Sequence, residues 1–190
     1  MQEVVPQKIR RGKVTNIKGP MFSGKSTELM RLVRRLRKAG KKCYVLKHII
    51  DARFSGQNLL ESHDNITMDA DRYHSLEEVP EEVILENDVI AIDEGQFFTG
   101  LTSTIEKWTL LGKDVIVAGL NLSFERKYYS EMILLEEISD YIIHLTAICH
   151  CGQEAAFTHR RGDSKELILI GGNEEYEALC SSCFPYSDSV

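Results

Sequence analysis

Three groups of residues in this chain have types and spacings that chemistry can use. The first, Gly19-Pro20-Met21-Phe22-Ser23-Gly24-Lys25-Ser26, fits the phosphate-loop pattern G-x-x-x-x-G-K-[ST]. Glycines let backbone N–H groups turn inward around phosphate oxygens. A helix expected from Ser26 adds the partial positive charge of its N-terminus. Lys25 is placed to reach the terminal phosphates, and the Ser26 hydroxyl to ligate Mg2+. The second group is Asp93-Glu94, which closes the apolar run Val89-Ile90-Ala91-Ile92. In a parallel sheet the C-terminal strand ends form the ligand crevice. Asp93 there suits a Mg2+ shell, while Glu94 can face an acceptor and take its hydroxyl proton. Gly95 frees the turn, and Gln96 adds a polar group. The third group is Cys149-His150-Cys151 and Cys180-Ser181-Ser182-Cys183. Four thiolates at ~2.3 Å from one ion make a closed Zn2+ site. His150 in place of one thiol is an alternative ligand set, and disulfides are the competing reading.

The elements that must position these groups follow from hydrophobic patterning. Short apolar runs at residues 14–17, 43–46, 89–92, 115–118 and 141–145 are predicted strands, several of them apolar throughout as strands covered on both faces must be. Residues 26–39 place Leu29, Leu32, Val33 and Leu36 on one helical face, with Gly40 following; residues 101–111 form a second helical pattern, followed by Gly112. Alternating strands and helices imply a parallel sheet. Past residue 147 the pattern changes. Residues 155–161 and 165–170 read as two strands joined through Gly162-Asp163-Ser164, a hairpin bracketed by the cysteines. The expected organisation is an α/β domain over residues 1–147 and a small cysteine-bearing subdomain over 148–190.

Composition narrows the class. Of 190 residues 43% are hydrophobic, too many for a disordered chain, and five cysteines are too few for a disulfide scaffold. No run approaches ~18 uninterrupted apolar residues, so no membrane span is expected. No apolar stretch in residues 1–11 resembles a secretory signal. A soluble, reduced, cytoplasmic protein is the expectation. The net charge of −6 hides a split: residues 1–50 carry 14 Lys/Arg against two acids, a net of +12, and the remainder nine against 27, a net of −18. Arg31, Arg34, Arg35, Arg37 and Lys38 supply much of the first sum, and read as a solvated helix face or a subunit contact rather than a nucleic-acid track. Cys43 and His144 read as packing residues and Trp108 as packing or interface, while for Phe98 and Phe97 ordinary core competes with a place in the site.

The motifs GPMFSGKST (from Gly19), IDEGQFF (from Ile92), VIVAG (from Val115) and IGGNEEY (from Ile170) occur in that order, with the paired cysteines. Together they resemble the thymidine kinase family of the cellular, bacterial and poxvirus type, over residues 12–184. The resemblance implies a P-loop parallel sheet flanked by helices, with a C-terminal zinc-binding β subdomain, the lasso. It implies transfer of the γ-phosphoryl group of ATP to the 5′-hydroxyl of thymidine or deoxyuridine. Glu94 would be the general base, and Ser26 and Asp93 would organise Mg2+. ATP would be held by residues 19–26, by Asp51, Ala52 and Arg53, and by Asp93 and Gln96. Met21, Phe97, Leu120 and Phe124 would wall the thymidine pocket, with Phe124 stacking on the base and Tyr129 nearby. The backbone of Leu167, Ile168, Leu169, Ile170 and Gly171 would read the thymine edge, and Tyr176 would close that strand. Cys149, Cys151, Cys180 and Cys183 would hold Zn2+.

By the same resemblance, a homotetramer, feedback by dTTP and no nucleic-acid or membrane partner are expected. His63-Asp64 matches a family pair to which no role is assigned. The chain departs from the family pattern in its short Cys149-His150-Cys151 pair, at Asn121-Leu122 and at Lys127-Tyr128-Tyr129. Two other readings compete. One is a zinc-bearing P-loop ATPase acting on nucleic acid, and the other is a nucleotide-binding regulator without catalysis, which would need no base at Glu94.

Overall fold

The computed structural model describes residues 10–50, 59–61, 66–162 and 174–185. In chain order the first elements are β1 (Val14–Lys18), α1 (Lys25–Lys38), β2 (Cys43–His48), β3 (Leu59–Glu61), β4 (Thr67–Asp69), β5 (Asp71–Tyr73) and α2 (Glu81–Glu86). Then come β6 (Val89–Asp93), α3 (Leu101–Leu110), β7 (Asp114–Gly119), α4 (Ser130–Ile138) and β8 (Tyr141–His144). The last four are β9 (Ala147–Ile148), β10 (Glu154–Ala155), β11 (Phe157–Arg160) and β12 (Tyr176–Leu179). Among the described residues no helix is long and apolar enough to cross a membrane.

Six strands make one sheet in the order β5-β2-β6-β7-β1-β8, and every neighbouring pair is parallel. Parallel pairing brings the C-terminal ends of β1 and β6 to the same margin of the sheet, with β7 between them. Successive residues of β6 and β7 enter two different cores. Ile90, Ile92, Val115 and Val117 pack with α3 and α4 through Leu101, Ile105, Trp108, Met132 and Leu135. Val89, Ala91, Ile116 and Ala118 pack with α1 through Leu29, Met30 and Val33. This double burial is why the two strands read as continuous apolar runs.

Both helices expected from the sequence end on their glycines. Lys41 N–H donates to Leu36 O and Gly40 N–H to Arg37 O, at 3.1 and 3.0 Å. Lys113 N–H to Trp108 O and Gly112 N–H to Thr109 O, at 3.1 and 2.9 Å, repeat the arrangement after α3. These paired bonds satisfy carbonyls that a helix end otherwise leaves open. Arg31, Arg34, Arg35, Arg37 and Lys38 of α1 are exposed, as a solvated face requires. Arg31 pairs with Glu28 through two bonds of 2.6 and 2.7 Å, and Arg37 donates to Cys43 O. Trp108 and Phe98 lie in the core.

Three expectations need correction. Cys43 packs only in part: it opens β2 and is half-buried against the core beneath α1. His144 is exposed, because β8 is an edge strand, and Tyr141 and Ile142 there are 52% and 48% exposed. The single strand expected at 155–161 is two, with β10 pairing β9 and β11 pairing β12, both antiparallel. The expected strand at 165–170, together with Asp163-Ser164 of its turn, lies outside the described residues.

An amide also lies in the core. Asn16 on β1 is 0% exposed, and neither polar atom of its side chain has a hydrogen-bond partner among the described residues. A buried unpaired amide costs about 1–3 kcal/mol. Asn16→Val is therefore expected to raise unfolding stability by about that amount, read from the urea midpoint at unchanged slope; a lower midpoint would contradict it.

Candidate functional site

The phosphate loop runs from the end of β1 into α1. Gly24 precedes the helix with φ 80° and ψ 20°, a left-handed conformation that glycine adopts without strain. No side chain caps α1, so its first N–H groups point outward as an anion site requires. Lys25 Nζ donates to Pro20 O at 2.6 Å, and Ser23 Oγ donates to the same carbonyl at 2.8 Å, so the loop closes on itself. Phe22 is left-handed at φ 64° without being glycine.

Asp93, 2% exposed, is the last residue of β6. Its Oδ2 accepts from Ser26 Oγ at 2.9 Å. Two hard oxygen donors thus meet at the N-terminus of α1, and such donors suit Mg2+. Lys47, 1% exposed, is the cross-strand partner of Asp93, which no sequence pattern indicated. Glu94 then turns the chain with φ 55° and ψ 40°. Gln96 Nε2 donates to Glu94 Oε2 at 2.7 Å, and Leu120 N–H donates to Gln96 Oε1 at 3.0 Å. Among the described residues, two of the three positive-φ non-glycine residues, Phe22 and Glu94, therefore lie in the motifs picked out for chemistry, where backbone strain concentrates.

Beside this turn the rings assemble. Phe97 meets Tyr129 edge-on at 6.4 Å and His48 at 5.8 Å, and His48 meets Phe98 edge-on at 4.8 Å. Burial holds the His48 imidazole below its ordinary range and pushes the Tyr129 phenol up. The Arg160 guanidinium lies over Phe124 at 3.8 Å and donates to the Tyr176 hydroxyl at 2.7 Å. Met21 N–H donates to Thr158 Oγ1 at 2.9 Å, joining the phosphate loop to β11. His48, Thr158 and Arg160 were not picked out from the sequence; only the three-dimensional fold brings them to the expected pocket residues. Asp51, Ala52, Arg53, the His63-Asp64 pair and Leu167 to Gly171 lie outside the described residues.

Cys149, Cys151, Cys180 and Cys183 bring their Sγ atoms within 4.8 Å of one another, and His150 is not part of the group. Cys151 and Cys180 Sγ are 3.6 Å apart. Zn–S bonds of about 2.3 Å set tetrahedron edges of about 3.8 Å, so the arrangement could hold a metal ion. Backbone N–H groups of Cys151 and Cys180 bring the Cys149 thiol down to about 6, while hydrogen bonds with Cys151 and the other two thiols push Cys183 up to about 12.

A model of the thymidine kinase family matches residues 12–184. The cytosolic thymidine kinase of Cricetulus griseus is 44% identical over 181 residues, spanning 95% of this chain and 76% of that protein. The thymidine kinase of Sheeppox virus (strain KS-1) is 40% identical over 174 residues, 91% of this chain and 97% of its own. The Legionella pneumophila ATPase DotB aligns with a TM-score of 0.44 at 16% identity, over 77% of this chain and 44% of its own.

Titration of the reduced protein with Co2+ is expected to saturate at one ion per chain, with intense thiolate charge-transfer absorption and tetrahedral d–d bands. Cys183→Ser is expected to weaken both. An octahedral spectrum without thiolate bands would contradict a four-sulfur site.

Proposed function

The chain belongs to the thymidine kinase family, and from that premise we propose that it transfers the γ-phosphoryl group of ATP to the 5′-hydroxyl of thymidine, with deoxyuridine as a second acceptor. The observation that carries the assignment of roles is the turn after β6. Asp93 bonds to Ser26, and Glu94, the next residue, is held instead by Gln96. These separate partners support a reading in which Asp93 serves the metal side and Glu94 the acceptor side.

ATP is held by the backbone of Gly19 to Ser26, with Lys25 leaving Pro20 O for the terminal phosphates. Asp51, Ala52 and Arg53 border the phosphates, and Arg53 brings a planar cation to the developing charge. Ser26 and Asp93 would hold Mg2+, which would supply charge neutralisation for the phosphates. Glu94 accepts the 5′-hydroxyl proton as that oxygen attacks the γ-phosphorus and ADP leaves. Met21, Phe97, Leu120, Phe124 and Tyr129 wall the thymidine pocket; the backbone of Leu167 to Gly171 reads the base edge, and Tyr176 closes it. A tight lid that reads the edge through the backbone rejects purines by volume and cytidine by its donor pattern.

Residues 1–147 form the nucleotide-binding domain, and residues 148–190 the zinc-tied lid. Support for this division comes from the two-stranded sheets β9–β10 and β11–β12, which have a core cluster of their own. The four cysteines would hold Zn2+, which would tie the base of the lid and take no part in the chemistry. A cytoplasmic location is consistent with the relatives described as cytosolic. A homotetramer and feedback inhibition by dTTP complete the reading.

Glu94→Gln is expected to lower kcat for thymidine ~10²-fold or more, since an amide cannot accept the proton. The affinity for Mg-ATP, measured by calorimetry, is expected to stay within about twofold. A near-normal kcat in this variant would remove Glu94 from the base role.

A further inference from the structure

We propose that Gln96 is the positioning residue of Glu94, acting through its side-chain amide on the base rather than contacting ATP. This rests on the reading of Glu94 as the base. Gln96 is 7% exposed and lies in the single 3-10 turn Gly95–Phe97 that follows Glu94. Its amide has only one orientation compatible with its neighbours. Leu120 N–H is a donor, so the amide oxygen must face it, at 3.0 Å. The NH2 group is then turned to Glu94 Oε2, at 2.7 Å. The amide thus bridges the residue beyond β7 and the carboxylate beyond β6.

The surroundings hold this bridge in place. A Cβ on Gly119 would lie 2.8 Å from Gln96 Oε1, so glycine at the end of β7 makes room for the amide. A Cβ on Gly95 would lie 2.5 Å from Val117 Cγ1, so the turn sits flush against β7. A glutamate side chain has three rotatable torsions, and an unheld one samples many orientations. Misplacement of a catalytic group by about 1 Å costs up to about 10²-fold in rate.

The test is steady-state kinetics of Gln96→Met, which keeps the length of the side chain and removes both hydrogen bonds. The expected result is a kcat for thymidine lowered about tenfold to a hundredfold, with KM and calorimetric Kd for Mg-ATP within about twofold. In a Glu94→Gln background, Gln96→Met is expected to cost less than about twofold more, because the residue acts through a base already removed. A raised KM for ATP at unchanged kcat would make Gln96 an ATP contact and overturn the proposal. So would losses that multiply in the double variant. Gln96→Asn keeps the amide but is too short to bridge; should Gln96→Met fail to fold, the same pattern of kcat and KM is required of it. A normal rate in Glu94→Gln sinks the base reading itself. A slow Glu94→Gln beside a fast Gln96→Met sinks only the positioning role.

Discussion

At Glu94 the backbone adopts φ 55° and ψ 40°, a conformation that costs a non-glycine residue about 1–2 kcal/mol. The rest of the site depends on that turn. In a continuing strand, Asp93 and Glu94 would point to opposite faces of the sheet and into separate cores. The left-handed turn instead keeps both carboxylates at the strand end, with Asp93 on Ser26 and Glu94 on Gln96. Its surroundings over-determine it. All five residues of β6 are buried, Gly95 lies against Val117, and Gln96 is anchored to the Leu120 backbone. Strain at such a point persists because the packed sheet leaves the chain no other course.

A second dependence links the cysteine region to the phosphate loop. Phe22 of the loop packs against the cluster of Ala147, Cys149, Ala155, Leu179, Cys180 and Phe184. Met21 is tied to Thr158, and the Arg126 guanidinium lies over Phe157 and Phe184 at 4.5 and 5.6 Å. The four-sulfur group therefore sits behind the phosphate loop as well as at the feet of β9 to β12. Order at the cysteines bears on the geometry of the nucleotide site through apolar packing, without any cysteine reaching it.

What could be read from the sequence was local in origin. The phosphate loop, the strand ending in Asp93-Glu94 and the paired cysteines each lie within a few residues, so their spacing carries their meaning. The central strands were legible because burial on both faces removes polar residues from them. Strands β3, β4 and β5, of three residues each, give no periodicity to detect, and α2 at six residues is little better. Helix α4 has a mixed pattern in which Met132 and Leu135 are buried while Ile133 and Leu134 are exposed, so hydrophobicity alone does not mark its face. Strand β12 is recognisable only through its pairing with β11. Lys47, His48, Thr158 and Arg160 escaped notice for the same reason: each acquires its surroundings through contacts distant in sequence.

The charge split also takes on a local meaning. The cationic row of α1 lies on the exposed face of the helix, and Arg31 is paired with Glu28. The central claim is that this constellation moves a phosphoryl group onto a pyrimidine deoxynucleoside. The most direct measurement is transfer of label from γ-labelled ATP, with Mg2+, across the eight common nucleosides. The expected result is labelled 5′-monophosphate from thymidine and deoxyuridine, and none from purine nucleosides or cytidine. ATP consumption stimulated by single-stranded nucleic acid and indifferent to thymidine would contradict it.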